Sequence, residues 1–120
     1  MILVVDDEPA ITELLTDVLE YHGHPVLVAN DAETALDIMS FKNPDVILMD
    51  IMMPSVDGLS LALALRRGAR GRDIPLIAMS ASDSALELAG RVGDFDAALS
   101  KPFEHQELIS LIERYISVPT

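Results

Sequence analysis

Five polar residues of this sequence stand directly after, or one position beyond, short apolar runs. They carry the carboxylates of Asp6, Asp7 and Asp50, the hydroxyl of Ser80 and the amine of Lys101. If three carboxylates gather at one place, each close pair costs on the order of a few kcal/mol at an effective dielectric near 20. Such a group either takes up protons or holds a cation. These residue types therefore predict a cation site with a lysine and a hydroxyl beside it.

The ligand types favour Mg²⁺. Carboxylate oxygens are hard ligands, and the chain has no cysteine to supply a soft one. Beside such an ion, one carboxylate can act as a nucleophile toward phosphorus. Phosphoryl transfer needs mainly positioning and charge neutralisation, which a metal, a lysine and a hydroxyl can supply together. Taken singly, each residue has an ordinary explanation as a helix cap, a turn residue or a surface charge. The signal is their joint placement.

These residues need a fold that brings the ends of several strands together. Short apolar runs predict strands at 2–5, 26–29, 46–49, 75–79 and 97–99. Helical patterns lie between them: one from Pro9 to Gly23, one capped by Asp31, and others at 59–65, 84–89 and 104–116. The alternation predicts a single α/β domain over 1–120, a doubly wound and mostly parallel sheet. Ligands bind such sheets beyond the carboxyl ends of the strands, so all five polar groups should meet there.

The third helix is ambiguous by period alone. Leu59, Leu61, Leu63 and Leu65 alternate with small residues, which also fits a strand. Alanine and leucine are strong helix formers and no residue there is β-branched, so a helix is predicted. In that helix Leu59 and Leu63 form one stripe and Leu61 and Leu65 another, and one of the two should face the sheet.

Composition excludes several classes of function. Acidic residues outnumber basic ones 20 to 8, for a formal charge of −12. Such a surface repels nucleic-acid phosphates, so no direct nucleic-acid partner is expected. A disulfide framework is impossible without cysteine. No apolar run approaches the roughly 20 residues that span a bilayer, and no signal peptide precedes the first strand, so a soluble, cytoplasmic protein is expected.

Four short motifs together resemble the receiver domain of two-component response regulators. They are the acidic segment VVDDEP at 4–9, the loop MDIMMP at 49–54 with Asp57-Gly58 after it, Ser80-Ala81, and Lys101-Pro102-Phe103. All four occur in order on the right elements, and the resemblance covers essentially the whole chain. It implies a five-stranded, flavodoxin-like sheet with strand order 2-1-3-4-5 and helices on both faces.

The resemblance also implies roles for the polar residues. Asp50 would be the phosphoacceptor, receiving its phosphoryl group from a phosphohistidine on a sensor histidine kinase or a histidine phosphotransfer protein. Lys101 would pair with the phosphoryl group and Ser80 would move to hydrogen-bond it, with a cis bond between Lys101 and Pro102. The implied ligands of Mg²⁺ are Asp7, Asp50, the backbone carbonyl of Met52 and, largely through water, Asp6.

Three features depart from the family pattern. Ala98 stands where an aromatic residue usually reports phosphorylation, although Phe95 could partly substitute for it. The stretch from Ser80 to Lys101 looks one residue short, and Asp94 occupies a usual glycine position, with Gly93 one place early. The expected output surface is the face of the fourth helix, fifth strand and last helix, for a downstream protein or a phosphorylation-dependent homodimer. Ile109, off the main apolar stripe of the last helix, is predicted to be part of that face.

Alternative functions stay open at this point. A pseudo-receiver would dock partners without being phosphorylated, yet every acidic residue and the lysine are present here. An Mg²⁺-dependent phosphatase with an aspartyl-phosphate intermediate would commonly carry a second Asp where this chain has Met52. A flavin- or nucleotide-binding module would need a Gly-rich phosphate loop after a strand, and none is found. The prediction is a switch that catalyses its own phosphorylation and dephosphorylation, without being a turnover enzyme.

Overall fold

The computed structural model describes residues 1–53, 58–68, 73–92 and 94–116, apart from the side chain of Val92. Pro54, Asp57 and Gly93, which entered the sequence interpretation, lie outside the described residues. The strands are β1 (Ile2–Val5), β2 (Val26–Ala29), β3 (Val46–Asp50), β4 (Leu76–Ser80) and β5 (Ala97–Ser100). The helices are α1 (Pro9–Tyr21), α2 (Ala32–Met39), α3 (Gly58–Arg67), α4 (Asp83–Val92) and α5 (His105–Tyr115).

The five strands form one parallel sheet in the order β2-β1-β3-β4-β5. In its register Val5 pairs with Met49, Asp50 pairs with Met79, and Ser80 pairs with Ser100. This confirms the predicted sheet and strand order. The strand ends differ slightly from the prediction, because Asp50 and Ser80 are the last residues of β3 and β4 and do not follow them.

Each face of the sheet is covered by helices that bury one apolar core. Residues of β1, β3 and β4 are completely or almost completely buried, as expected for strands covered on both sides. One core gathers residues of α2, α3 and α4 around Leu3, Ile47 and Met49. The other core gathers residues of α1 and α5 around Val4 and Leu48.

The segment with alternating leucines is a helix, as predicted. Leu61 and Leu65 are buried at 4% and 3% exposure and form the stripe that faces the sheet. Leu63 is 40% exposed on the opposite side, and Leu59 lies partly buried at the edge of the core. Gly58, at the start of this helix, approaches the backbone of Ile51 so closely that a Cβ added to Gly58 would lie 2.5 Å from the Cα of Ile51.

Local signals place the other helix ends. Pro9 occupies the first turn of α1, and Gly23 follows that helix with a φ of +88°, a value that favours glycine. Asp31 caps α2 by accepting a hydrogen bond of 2.7 Å from the Thr34 N–H. The carboxylate of Asp31 has a lowered pKa because the same backbone N–H stabilises its charged form.

The last helix corrects one prediction. Ile109 is only 3% exposed and packs in the same core as Leu108 and Ile112. It is therefore a core residue, and its assignment to a surface for partners is wrong. The apolar stripe of α5 is wide because Ile109 packs in this core together with Leu108 and Ile112.

The amino end of β5 is held by a polar network opposite the strand ends that carry Asp50 and Ser80. Arg66 of α3 donates to the carbonyl oxygens of Ile74 at 2.6 Å and Asp94 at 3.0 Å, and it pairs with the Asp96 carboxylate. The Tyr115 hydroxyl donates to the Asp96 carbonyl at 3.0 Å. This network connects α3, β4, β5 and α5 at one point. Among the described residues, no helix has both the length and the apolar character needed to cross a membrane.

Candidate phosphorylation and metal site

The polar residues singled out in the sequence meet at the carboxyl ends of the strands. Asp6 follows β1 directly, Asp50 ends β3, Ser80 ends β4, and Lys101 follows β5. Parallel strands in register carry these positions to the same edge of the sheet. The topology alone therefore brings together residues that are as far as 95 positions apart in the chain.

Lys101 links two of the carboxylates. Its Nζ donates to Asp6 Oδ2 and to Asp50 Oδ2, each at 2.9 Å. Burial lowers the pKa of the Lys101 amine, but the hydrogen bonds and charges of Asp50 and Asp6 outweigh this effect, so the pKa is raised. The lysine is therefore a fixed positive charge that partly neutralises the site.

Asp6 lies at the bottom of the site with no exposed surface. Its Oδ1 accepts the N–H of Glu8 at 3.0 Å, and its backbone carbonyl accepts a hydrogen bond of 3.1 Å from Asn30 Nδ2. Both carboxylate oxygens of Asp6 therefore accept a hydrogen bond, Oδ1 from the Glu8 N–H and Oδ2 from Lys101 Nζ. Asp6 is positioned to bear charge and is shielded from a reacting partner.

Asp50 occupies a different position, since it lines an open cleft. Its Oδ1 accepts the Met52 N–H at 2.8 Å, and its Oδ2 accepts from Lys101. The residue is 5% exposed, and the cleft of about 310 Å³ above it is also lined by Glu8, Met52, Ser80, Ala81, Ser82 and Lys101. A molecule entering this cleft would meet the Asp50 carboxylate beside the lysine and the hydroxyl.

Four carboxylates could hold a metal ion together. Asp6, Asp7, Glu8 and Asp50 each offer an oxygen, and these oxygens all lie within 4.8 Å of one another. The sequence interpretation named three of these residues and omitted Glu8. Glu8 could have been included from the sequence, because it continues the acidic run that begins at Asp6.

Ser80 is completely buried, and its hydroxyl oxygen already accepts a hydrogen bond. Ser80 Oγ accepts the N–H of Ser82 at 3.0 Å. A hydroxyl that accepts one hydrogen bond can still donate its own hydrogen, so Ser80 keeps a donor for another group. Sequence reasoning missed Ser82, because a serine in a loop before a helix has no feature that ties it to a site.

One further expectation is confirmed. The bond between Lys101 and Pro102 is cis, as the resemblance implied. Ala98 is exposed on β5, and Phe95 packs partly buried against the core of α2, α3 and α4. Both residues line a cleft of about 170 Å³ between α4 and β5.

The chain belongs to the response regulator receiver domain family, whose family model matches residues 2–113. It is a receiver domain of two-component signalling with a CheY-like, flavodoxin-like fold. Receiver domains are not classical turnover enzymes.

Curated relatives and solved structures agree with this assignment. The response regulator MprA of Mycolicibacterium vanbaalenii is 40% identical over 110 residues, which cover 91% of this chain and 47% of the relative. The chain thus spans about half the length of the curated relatives it matches. The receiver domain of NtrX from Brucella abortus is 30% identical, with a TM-score of 0.88 and coverage of 97% and 98% of the two chains.

A third relative bears on the metal. The receiver domain of the sensor histidine kinase PA1611 from Pseudomonas aeruginosa was crystallised with a magnesium ion coordinated in its active-site cleft. It is 31% identical to this chain, with a TM-score of 0.86 and coverage of 96% and 95% of the two chains.

Proposed function

We propose that Asp50 accepts a phosphoryl group from a phosphohistidine on a sensor histidine kinase or a histidine phosphotransfer protein. The observation that carries this proposal is that Asp50 lines the open cleft while its carboxylate lies 2.9 Å from Lys101 Nζ. Asp6, which has the same distance to the lysine, is buried and does not line that cleft. Access thus favours Asp50 over Asp6 as the nucleophile. As a partner of a histidine kinase, the domain would act in the cytoplasm.

In the transfer, a carboxylate oxygen of Asp50 forms a bond to phosphorus as the bond between phosphorus and the imidazole nitrogen breaks. The electron pair of the broken bond leaves with the imidazole of the partner. Lys101 stays beside the acceptor and neutralises charge on the phosphoryl oxygens, and Ser80 donates its hydroxyl hydrogen to one of them. In slow self-dephosphorylation, the oxygen of a water molecule would bond to phosphorus as the bond between phosphorus and the Asp50 oxygen breaks. The electron pair of that bond would return to the carboxylate, and the water would release a proton to solvent.

The residues of the site fit an Mg²⁺ ion. Their donors are all oxygen atoms, and four carboxylate oxygens lie within 4.8 Å of one another, which matches the hard ligands that Mg²⁺ prefers. Asp7 and Asp50 would bind the ion directly, with the backbone carbonyl of Met52, and Asp6 would act largely through water. When bound, Mg²⁺ supplies positive charge that lowers the repulsion between the carboxylate and an incoming phosphoryl group.

The described residues form one sheet with a core on each face, which supports a single receiver domain over 1–120. The proposed output surface is the face of α4, β5 and α5, where a downstream protein or a second copy of the chain would bind. Since Ile109 is buried, the exposed positions Leu88 and Ala98 replace it as positions to substitute on that face.

The decisive experiment is incubation with acetyl phosphate and Mg²⁺, followed by intact mass. We expect a gain of one phosphoryl group in the unsubstituted chain, and none in Asp50→Asn or with EDTA. Asp37→Asn, which removes an exposed carboxylate on α2, is the matched control and should still gain the group.

Other results would point elsewhere. A phosphoryl group retained in Asp50→Asn would contradict the assignment of the acceptor. Partner binding without any gain of mass would favour a docking module, and sustained turnover of a phosphate ester would favour a phosphatase.

Met52 gives a second test of the same chemistry. Its side chain is 60% exposed and lines the cleft beside Asp50, where it can shield the acylphosphate from water. Met52→Asn and Met52→Glu should therefore lose the phosphoryl group faster than the unsubstituted chain, measured by mass after removal of acetyl phosphate. Equal rates of loss would exclude a shielding role for Met52.

A further inference from the structure

The backbone of Ser80 is fixed, so its hydroxyl can change partner mainly by rotation of the side chain. Ser80 is the last residue of β4, pairs with Ser100 in the sheet, and its carbonyl oxygen accepts the Lys101 N–H at 2.9 Å. It has no exposed surface. Rotation about a single side-chain torsion is the least costly movement left to it.

The partner of Ser80 is the residue that caps α4. Ser82 stands just before α4, and its Oγ accepts the N–H of Ala85 at 3.2 Å. Its carbonyl oxygen accepts the N–H of Leu86 at 3.1 Å, the first bond of the helix. Ser82 therefore occupies the N-cap position and Ala85 the position called N3.

This cap lacks half of the usual pair of hydrogen bonds. In a capping box, a Glu or Gln at N3 reaches back to accept the backbone N–H of the N-cap residue. Ala85 has no side chain that can accept a hydrogen bond. The Ser82 N–H donates instead to Ser80 Oγ, at 3.0 Å. A residue of the phosphorylation site thus completes the cap of α4.

The helix that depends on this cap is only lightly held. Among the described side chains of α4, only Ala89 is buried below 2% exposure, and Leu88 is 51% exposed. Gly90 lies inside the helix although an added Cβ would meet nothing within 4 Å. Glycine in a helix interior is unfavourable relative to alanine, and here no close packing requires it.

We propose that Ser82 is a positioning residue that couples the occupancy of Asp50 to the first turn of α4. When the Ser80 hydroxyl turns to a phosphoryl group on Asp50, the Ser82 N–H loses its acceptor and the first turn of α4 opens or shifts. The coupling runs through two serine hydroxyls and needs no aromatic side chain on β5. This inference rests on the proposed function, since it assumes that Asp50 becomes phosphorylated.

The direct measurement is hydrogen exchange of the Ser82 amide by NMR, before and after treatment with acetyl phosphate and Mg²⁺. We expect roughly fivefold faster exchange after phosphorylation, the factor that corresponds to the loss of about one net hydrogen bond. Intact mass is recorded on the same samples. A gain of mass with unchanged exchange at Ser82 would overturn the coupling and leave the proposed function intact. Absence of any gain of mass would contradict both.

One arm of the experiment needs no phosphorylation. In Ser80→Ala the acceptor of the Ser82 N–H is gone, so the Ser82 amide of the unphosphorylated protein should already exchange at the faster rate. Ser110→Ala, which removes an exposed hydroxyl on α5, is the control and should leave exchange at Ser82 unchanged. Equal protection in Ser80→Ala and the unsubstituted chain would overturn the proposal regardless of phosphorylation.

A rescue variant separates coupling from mere stabilisation. Ala85→Gln supplies the missing acceptor at N3, so the Ser82 N–H should stay protected when Asp50 is phosphorylated. The mass gain should persist while the change at α4 disappears. Ala85→Met, of similar length without a strong acceptor, should keep the phosphorylation-dependent change. If both variants respond like the unsubstituted chain, the cap does not transmit the signal.

Discussion

The two helices beside β5 are held very differently. On one face of the sheet, α5 buries Leu108 and Ile112 completely and Ile109 almost completely. On the other face, α4 contributes only Ala89 to the fully buried core among its described side chains, with Ala85 and Leu86 partly covered. Both helices border the same edge strand, so the contrast comes from the helices themselves.

This difference suggests a division of labour around the site. The strand β5 must hold Lys101 steady against Asp6 and Asp50, and α5 anchors that strand through its core and the Tyr115 hydroxyl. A helix that shifts with the state of the site must instead have alternatives of similar free energy, which a small buried area allows. The phosphorylation chemistry rests on the anchored side, and the proposed response lies on the lightly held side.

The largest expected effect tests the anchoring itself. Leu108→Ala should lower the free energy of unfolding by about 2–5 kcal/mol, because it removes a completely buried side chain. Leu86→Ala on α4 should cost less than about 2 kcal/mol, because that side chain is only partly covered. Urea denaturation followed by circular dichroism measures both. Equal losses would show that α4 is anchored as firmly as α5.

Two glycines provide the next test. Gly58→Ala should destabilise the protein by more than about 1 kcal/mol, since its Cβ would lie 2.5 Å from the backbone of Ile51. Gly90→Ala should stabilise it by up to about 1 kcal/mol, since its Cβ meets open space inside α4. Denaturation curves give both signs, and amide exchange along α4 should slow in Gly90→Ala. A destabilising Gly90→Ala would mean that α4 needs its glycine.

The sequence predicted the anchored parts of this molecule best. Continuous apolar runs identify β1, β3 and β4, because strands covered on both faces carry apolar residues at every position and show no alternation of apolar and polar residues. Parallel strands place whatever follows them at one edge, so Asp6, Asp50, Ser80 and Lys101 could be grouped before any coordinates. Their assigned roles remain predictions, since proximity does not establish phosphorylation.

What the sequence missed depends on tertiary packing. Ile109 looked like a surface residue because the width of an apolar stripe does not say which residues a neighbouring strand covers. The α4 helix extends over Asp83–Val92 and not only 84–89, because a polar first turn and an internal glycine weaken the pattern that marks a helix. The hydrogen bond between Ser80 and Ser82 could not be predicted either, because it depends on the direction of the Ser80 side chain.

The smallest expected effect concerns how the carboxyl end of β5 is held. The folded-state pKa of Lys101 is raised above its ordinary value of 10.5, so its ammonium stabilises the folded protein below that pH. This contribution should disappear as the pH rises through the folded-state pKa and the amine loses its proton. The difference in free energy of unfolding between the unsubstituted chain and Lys101→Met, measured with EDTA, should therefore narrow above pH 10.5. Lys42→Met, at an exposed lysine, is the matched control for the loss of one positive charge. Parallel curves for Lys101→Met would mean that Lys101 does not hold β5 through its charge.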